Sequence, residues 1–505
     1  MDMPSLLLEA AFALVTFVVG KFMVHWISAR FYLRYIPGPP SSSFIWGEEW
    51  NLYHDPPGAH YLEWHQQYGK VVKFRGAFGH QILSITDERA VAFILGSEGV
   101  YKFPKPDGVR AWFQRTVGEG ILWIEGKDAH EKQRRSVAPA LTQQSVRKFT
   151  SVFYDTSAEL AAKWTDLLDD SEAEEIEIEV TNWAGRFALD TIARAAFSYD
   201  FNLLSGEPNT LAEALDGLTN NENKSSSFYM RALFWIFPAI LSFGKKGEMI
   251  RKVKAELGTI ARKMWRDAKR SIDEQHADNK TLMALMLEAD AASDQQLSED
   301  EIVAQMRTIL SAGYETVSAV VAWVLYELSM NPSLQEQLRG EILTTGDPSF
   351  EELNRYPLLD SVVLETLRLH PAILENHHQA AETISIPLSE PIPGSDASHI
   401  IIPKGTIISI PVNVMQMWGE DAYLFRPERW RGSEARRNVF AFSEGPRSCI
   451  GRKFALAEIK ALTVTLIRQF AFACSYDIEA FQSFVIRPRV RGQGGSSLPL
   501  TIRRL

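Results

Sequence analysis

Phe442-Ser443-Glu444-Gly445-Pro446-Arg447-Ser448-Cys449-Ile450-Gly451 is the stretch on which the reading of this chain turns. Cys449 and Cys474 are its only cysteines. Cys449 stands just before a run over 450–470 whose apolar spacing predicts a helix. A cysteine that ligates a metal does so as the thiolate, and that charge is favoured by backbone donors and a helix N-terminus nearby. Gly445 and Gly451 remove side chains where a backbone or a flat ligand must come close. Arg447 offers a fixed cation to an anionic group, and Phe442 can cover the sulfur and keep water from it. A free thiol taken alone is more often a small buried hydrophobe, so this local physics leaves a ligand and a packing role both open.

Outward from that stretch, the body reads as mostly helical. Apolar residues recur at three-to-four spacing over 149–168, 183–197 and 248–274. A long helix is predicted from Ser298, an N-cap followed by Glu299, Asp300 and Glu301, to Met330, before Asn331-Pro332. Another is predicted over 350–369, ending at His370-Pro371. Strands are expected over 71–74 and 81–85 around turns at Gly76 and Gly79, and again near 383–387 and 400–403. The fold class is therefore mainly α, with a smaller β-rich part fed by both halves of the chain.

The cysteine stretch resembles the FxxGxRxCxG loop of the cytochrome P450 family at all five fixed positions. Further segments follow in that family's order, so the resemblance spans essentially the whole chain. It implies the cytochrome P450 fold, with haem b between the long central helix and the cysteine-loop helix. Cys449 is then the axial ligand of the iron, with Phe442, Gly445 and Arg447 around the cofactor. Glu365-Thr366-Leu367-Arg368 resembles ExxR, and Pro427-Glu428-Arg429-Trp430 is similar to the PERF/PERW segment. Alone, Glu and Arg three apart on a helix are usually surface decoration. The resemblance implies a buried, structural trio of Glu365, Arg368 and Arg429. Ala312-Gly313-Tyr314-Glu315-Thr316 resembles the AGxxT oxygen-binding segment. A glycine and a threonine in mid-helix suggest a local kink or groove, although packing alone also accounts for such a glycine. The resemblance implies that Gly313 leaves room for dioxygen, that Thr316 hydrogen-bonds it, and that Glu315 helps deliver protons. His130 and Arg134, four apart on one helix face, match positions that reach haem propionates. The family's further propionate arginine, ten residues past Arg368, is replaced here by His378, whose charge depends on pH. Glu375 falls in the loop that by resemblance points at substrate, either as a polar anchor or as a solvent-facing acid.

The bulk properties bound the remaining choices. A net charge of -10 and a pI near 5.7 argue against nucleic-acid binding, which uses a basic face. Two cysteines exclude a disulfide framework. An acidic run over 169–175 reads as a solvated loop. Residues 6–27 are nearly all apolar, broken by Glu9, Lys21 and His25, and basic Arg30 and Arg34 follow. A helix of roughly 20 such residues crosses a bilayer, and positive charge stays on the cytosolic side. The expected organisation is a single-pass anchor over 1–34 in the endoplasmic reticulum membrane and a catalytic domain over 35–505 facing the cytosol. The rigid Pro37-Gly38-Pro39-Pro40 joins them.

The function implied is a haem-thiolate monooxygenase that places one atom of dioxygen into a lipophilic small molecule, with a terpenoid of secondary metabolism favoured and fatty acids and aromatic polyketides also open. The chain carries no Walker-type loop and no GxGxxG fingerprint, so the electrons must come from a partner; the resemblance implies a membrane-bound NADPH–cytochrome P450 reductase, with cytochrome b5 as a second donor. Lys132, Arg135, Arg147, Lys148, Arg452 and Lys453 are candidates for a basic docking patch. Two rivals belong to other classes. A haem-thiolate isomerase or lyase acting on hydroperoxides needs no acid–alcohol pair, which Glu315-Thr316 supplies. A haem sensor needs no substrate pocket, whereas the apolar 108–122 loop, with Trp112, Phe113, Val117 and Ile121, resembles a pocket wall.

Overall fold

The computed structural model describes residues 27–207, 209–219, 224–273, 281–293, 295–342, 346–417, 420–431 and 439–505, with Thr16 and Gly20. Most of the expected 1–34 anchor lies outside the described residues. The chain forms two units. One comprises residues up to Pro106 and Glu375–Val414; the other comprises Asp107–Leu374 and Met415–Leu505.

The first unit is the strand-rich part. Its sheet runs in the order β1 (Val71–Arg75), β2 (Gln81–Ile85), β7 (Ile407–Pro411), β4 (Glu375–Gln379). β1 and β2 form an antiparallel hairpin pairing Val71 with Ile85. β2 runs parallel to β7, and β4 antiparallel to it, with His378 opposite Ile408. All five residues of β2 and of β7 are buried, as suits strands covered on both faces. β5 (Ile384–Pro387) and β6 (His399–Ile402) make a second antiparallel pair. The helix Ala59–Tyr68 lays Tyr61 and Trp64 on Phe74 of β1, with ring centroids 5.9 and 5.0 Å apart. The approach from the N-terminal segment is tied in as well: Ala29, Leu33 and Ile36 are buried, and the Leu33 carbonyl accepts a hydrogen bond from Lys73 Nζ at 2.7 Å.

The second unit is built around the helix Glu299–Ser329, called the central helix below. Ser298 and Glu301 form a capping box at its start, which satisfies two orphan donors reciprocally. Among the described residues it is the one helix long and apolar enough to cross a bilayer, and it is mostly buried in protein. It packs against the helix Val180–Phe197 through two complementary notches. Gly185 receives the Tyr314 ring, 3.2 Å from where a Cβ would stand, and Gly313 receives Ile192, at 2.8 Å. The central helix is continuous through Gly313, and the missing side chain there makes room for Ile192.

Other expectations are revised by local chemistry. The helix predicted over 350–369 is two, Phe350–Leu353 and Pro357–Leu369, because Pro357 has no N–H to join the preceding turn. The expected 108–122 loop begins as a helix, Asp107–Thr116. Part of the acidic run is also ordered. The helix Thr150–Ser171 reaches into it, and β3 (Glu175–Glu179) starts at its end. β3 pairs with β11 (Pro499–Arg504), which pairs with β8 (Phe470–Ala473); β9 (Ile478–Gln482) and β10 (Ile486–Val490) form a hairpin. The helix after the cysteine runs Arg452–Gln469 and packs on the central helix.

Candidate active site

Cys449 sits between a short 3-10 turn, Gly445–Arg447, and the helix Arg452–Gln469. Gly445 has φ of 73°, a left-handed value at which a side chain would be strained. The Cys449 N–H donates to the Phe442 carbonyl at 2.8 Å, which folds the loop back on itself. Cys449 keeps accessible surface, yet the surrounding protein desolvates its thiol and pushes the pKa up. Both observations hold if the sulfur faces an enclosed space rather than bulk water. Hydrogen bonds from the backbone at Gly451 and Arg452 and the charges of Arg134 and Arg452 pull the other way. Those four groups favour the thiolate.

The cations around the loop are already engaged. Arg134 donates to the Ser448 carbonyl at 3.0 Å. Arg447 donates to the Ile124 carbonyl and pairs with Glu125 at 2.6 Å, so an anionic group at Arg447 must share it with Glu125. The Arg452 guanidinium lies 5.3 Å from the centre of the half-buried Phe442 ring. His130 is buried four residues before Arg134 on the helix Lys127–Val137. These residues fit a macrocycle bearing an iron and carboxylates: a soft ligand is supported for its anionic form, with arginines grouped beside it.

The central helix supplies a second surface. Near its middle Ala312 is exposed, and Ile309, Gly313 and Thr316 are half-buried, a spacing that places all four on one side of the helix. Ser311 is half-buried on another side. The Thr316 hydroxyl donates to the Ala312 carbonyl at 2.7 Å, and its oxygen can still accept a hydrogen bond. Glu315 is buried, about 100° around the helix from Thr316. Two segments flank this stretch. The Ile121 N–H donates to Gln305 Oε1 at 3.1 Å, and a Cβ on Gly120 would lie 2.6 Å from Thr308 Oγ1. Beyond it, the Trp323 indole donates to the Ile486 carbonyl at 3.1 Å and fixes the β9–β10 hairpin. From that hairpin Phe484 stacks on Trp112 at 5.8 Å and meets Phe113 edge-on at 6.3 Å.

Glu365, Arg368 and Arg429 come together in the interior. Arg368 makes two 2.8 Å bonds to Glu365 with both residues fully buried, and Arg429 Nε lies 3.4 Å from Glu365. Burial alone raises the Glu365 pKa, but Arg368, the Arg426 N–H and the Trp430 indole outweigh it and hold the carboxylate below its usual range. Sequence reasoning missed several partners. Trp430 donates to Glu365 at 2.8 Å, and Asp421 pairs with Arg429. Gln416, fully buried, donates to the Leu367 and Arg368 carbonyls and accepts from the Phe440 and Ala441 N–H groups. It thus ties the Glu365 helix to the start of the cysteine loop. A single glutamine carries no spacing signal; Glu125 and Asp421 could be suspected only as acids awaiting a known arginine.

Two predicted residues belong to the strand-rich unit. His378, buried on β4, donates Nδ1–H to the Phe103 carbonyl at 2.9 Å, since a carbonyl can only accept. Its Nε2 can donate to a carboxylate only when the ring is protonated. Glu375 is turned inward. Tyr61 donates to it at 2.7 Å, His377 lies 3.0 Å away and Ser409 3.3 Å, so it anchors the sheet and does not face solvent.

Comparison with known proteins agrees with this geometry. The family model described as Cytochrome P450 matches residues 37–489. The chain is 35% identical over 501 residues to cytochrome P450 monooxygenase claO of Ampulloclitocybe clavipes, covering 93% of each chain. It is also 35% identical over 498 residues to claQ of the same fungus, covering 93% of this chain and 92% of the relative. Cytochrome P450 monooxygenase 205 of Postia placenta is 32% identical over 516 residues, covering 93% of each. With a matched model over most of its length and full-length fungal relatives, the chain belongs to the cytochrome P450 family, as a haem-dependent monooxygenase of fungal type.

Proposed function

We propose that Cys449 is the axial thiolate of haem b and that the chain hydroxylates a lipophilic small molecule, a terpenoid of secondary metabolism being the favoured class. The observation that carries this is a desolvated thiol at a helix start, supported by two backbone hydrogen bonds and two arginines. Haem held by a thiolate supplies the activation of dioxygen. The protein does the rest. Gly451, Arg452 and Arg134 favour the anionic sulfur against the burial that raises its pKa, and Phe442 shields it. Arg447, Arg134 and His130 are assigned to the propionates, with His378 added when its ring is protonated. Thr316 orients a proton at the accessible face of the central helix, and Glu315 replenishes it. The Trp112–Phe484–Phe113 cluster suits an apolar substrate. Glu365, Arg368 and Arg429 hold the core around the cysteine loop.

Two electrons per turnover are assigned to NADPH through a cytochrome P450 reductase, with cytochrome b5 as a second donor. Of the proposed docking cations, Lys132 is paired with Glu301 and Arg147 with Glu351, while Arg135, Lys148, Arg452 and Lys453 are exposed. The N-terminal segment is assigned as an anchor in the endoplasmic reticulum membrane, with the remainder in the cytosol as the catalytic domain. Co-expression with a reductase and profiling of lipophilic products tests the function. New hydroxylated products that require both NADPH and dioxygen are expected; turnover of a hydroperoxide without either contradicts it.

A further inference from the structure

Glu125 pairs with Arg447 at 2.6 Å, and the two side chains are only 13% and 11% exposed. The Ile124 carbonyl accepts a second N–H of the same guanidinium at 3.0 Å. The acid does not owe its position to the arginine. It stands just before Gly126, the cap of the helix Lys127–Val137. The segment that leads to it is tied down on several sides. Ile121 N–H donates to Gln305, the Gln305 amide donates to Gln133 Oε1 at 2.8 Å, and Gln133 donates to the Glu119 carbonyl at 3.2 Å. The Trp123 and Ile124 N–H groups both donate to the Gly120 carbonyl, at 2.9 and 3.1 Å. The Arg110 guanidinium lies 4.9 Å from the centre of the Trp123 ring. This framework presents a carboxylate to Arg447 in advance of any ligand.

Arg447 is the arginine assigned above to a haem propionate. A guanidinium has five N–H donors in a fixed fork, so one arginine can bond two carboxylates at once. Its single positive charge then fully neutralises neither. Charges in a partly buried site are screened little by salt, so the excess negative charge acts on whatever the site holds. Net charge, hydrogen bonding and burial are among the levers by which a protein sets the potential of a bound iron cofactor. Negative charge nearby opposes the arrival of an electron.

We propose that Glu125 is a positioning residue that holds the reduction potential of the haem low, by sharing Arg447 with the propionate. The inference rests on the haem-thiolate reading above. Glu125 touches no reacting atom; it acts through Arg447 and through its charge. Its effect falls on the reaction that competes with hydroxylation. Without substrate, one NADPH, one proton and one dioxygen give NADP⁺ and one hydrogen peroxide. A low potential restrains the electron transfer from the reductase that starts this loss.

Spectroelectrochemical titration of the full-length holoenzyme reads the potential directly. Glu125→Gln keeps an oxygen to accept from Arg447 and removes the charge. Its potential should move positive, so that the ferrous-to-ferric ratio at a fixed poise rises several-fold. Glu125→Asp keeps the charge and should stay near the unaltered protein. With reductase and no substrate, Glu125→Gln should consume NADPH several-fold faster and release a matching amount of peroxide. Glu125→Ala carries the same test if the amide variant does not fold. A potential that stays the same or falls once the charge is removed overturns the proposal. So does an equal shift in Glu125→Asp, which would mark the pair as a purely structural clamp. The carbon monoxide spectrum of the unaltered protein separates the two levels: a thiolate-type Soret band with negative results above removes only the role of Glu125, whereas its absence removes the haem-thiolate reading itself.

Discussion

At Ser443 the backbone takes φ 56° and ψ −177°, a region used almost only by glycine and costing of order 1–3 kcal/mol elsewhere. It sits six residues before Cys449, at the turn that lets the Cys449 N–H reach the Phe442 carbonyl. Ser443→Gly should therefore stabilise the protein by about 1 kcal/mol without loss of haem, read as a higher melting temperature; a lower one would show that the serine side chain is needed. Thr316→Ala removes the hydroxyl that bonds Ala312. Haem binding and NADPH use should persist, while the ratio of peroxide to product rises as proton delivery fails. Unchanged coupling would make this threonine ordinary packing. His65 is a pH-sensitive point of the strand-rich unit. Burial lowers its pKa from 6.5 to about 4, against the pull of its Gly69 carbonyl bond. Between those values the folded state binds fewer protons than the unfolded one, so its contribution is complete above pH 6.5 and is lost as the pH falls toward 4. Melting curves over that window should show the decline, and His65→Gln should flatten it.

Between elements, the Glu365 cluster and the central-helix notch decide stability in different ways. Glu365→Ala strands Arg368 in the core and leaves Trp430 and Arg429 without their shared acceptor; breaking a buried pair in this way costs about 3–5 kcal/mol, so denaturant melts should shift sharply and haem retention should fall. Gly313→Ala gains helix propensity of ~1 kcal/mol but places a Cβ 2.8 Å from Ile192 Cγ1, and overpacking costs roughly 1–3 kcal/mol. The net effect should be a loss that Ile192→Ala in the same chain partly repairs; a stable single variant would show that the helices can move apart. The helices were legible because their apolar spacing and caps are local: Ser298 with Glu301 and the stop at Asn331-Pro332 mark the central helix on sequence alone. The cysteine loop was legible because five fixed positions fall within ten residues. β9, β10 and β11 were not, since their pairing is set by distant partners such as Trp323 and β3. Nor were Gln416 and Glu125, whose roles exist only once loop and helix are packed. Gly313 had two readings that spacing could not separate; the structure adds the Ile192 contact to the packing one.

For the whole molecule, the burial of Ala29 and Leu33 moves the useful cut point. Removing residues 1–34 would take away side chains packed in the strand-rich unit and the carbonyl that holds Lys73. Removing residues 1–26 should release the protein from membranes with its haem spectrum intact, checked by ultracentrifugation; full pelleting of that variant would place a membrane-binding surface on the remaining chain. The central claim, that Cys449 makes this a haem-thiolate enzyme, is tested most directly by the reduced carbon monoxide difference spectrum of three proteins: the unaltered chain, Cys449→Ser and Cys474→Ser. A thiolate-type Soret band is expected in the first and third and should be lost in the second. A band that survives in Cys449→Ser and disappears in Cys474→Ser would contradict that claim.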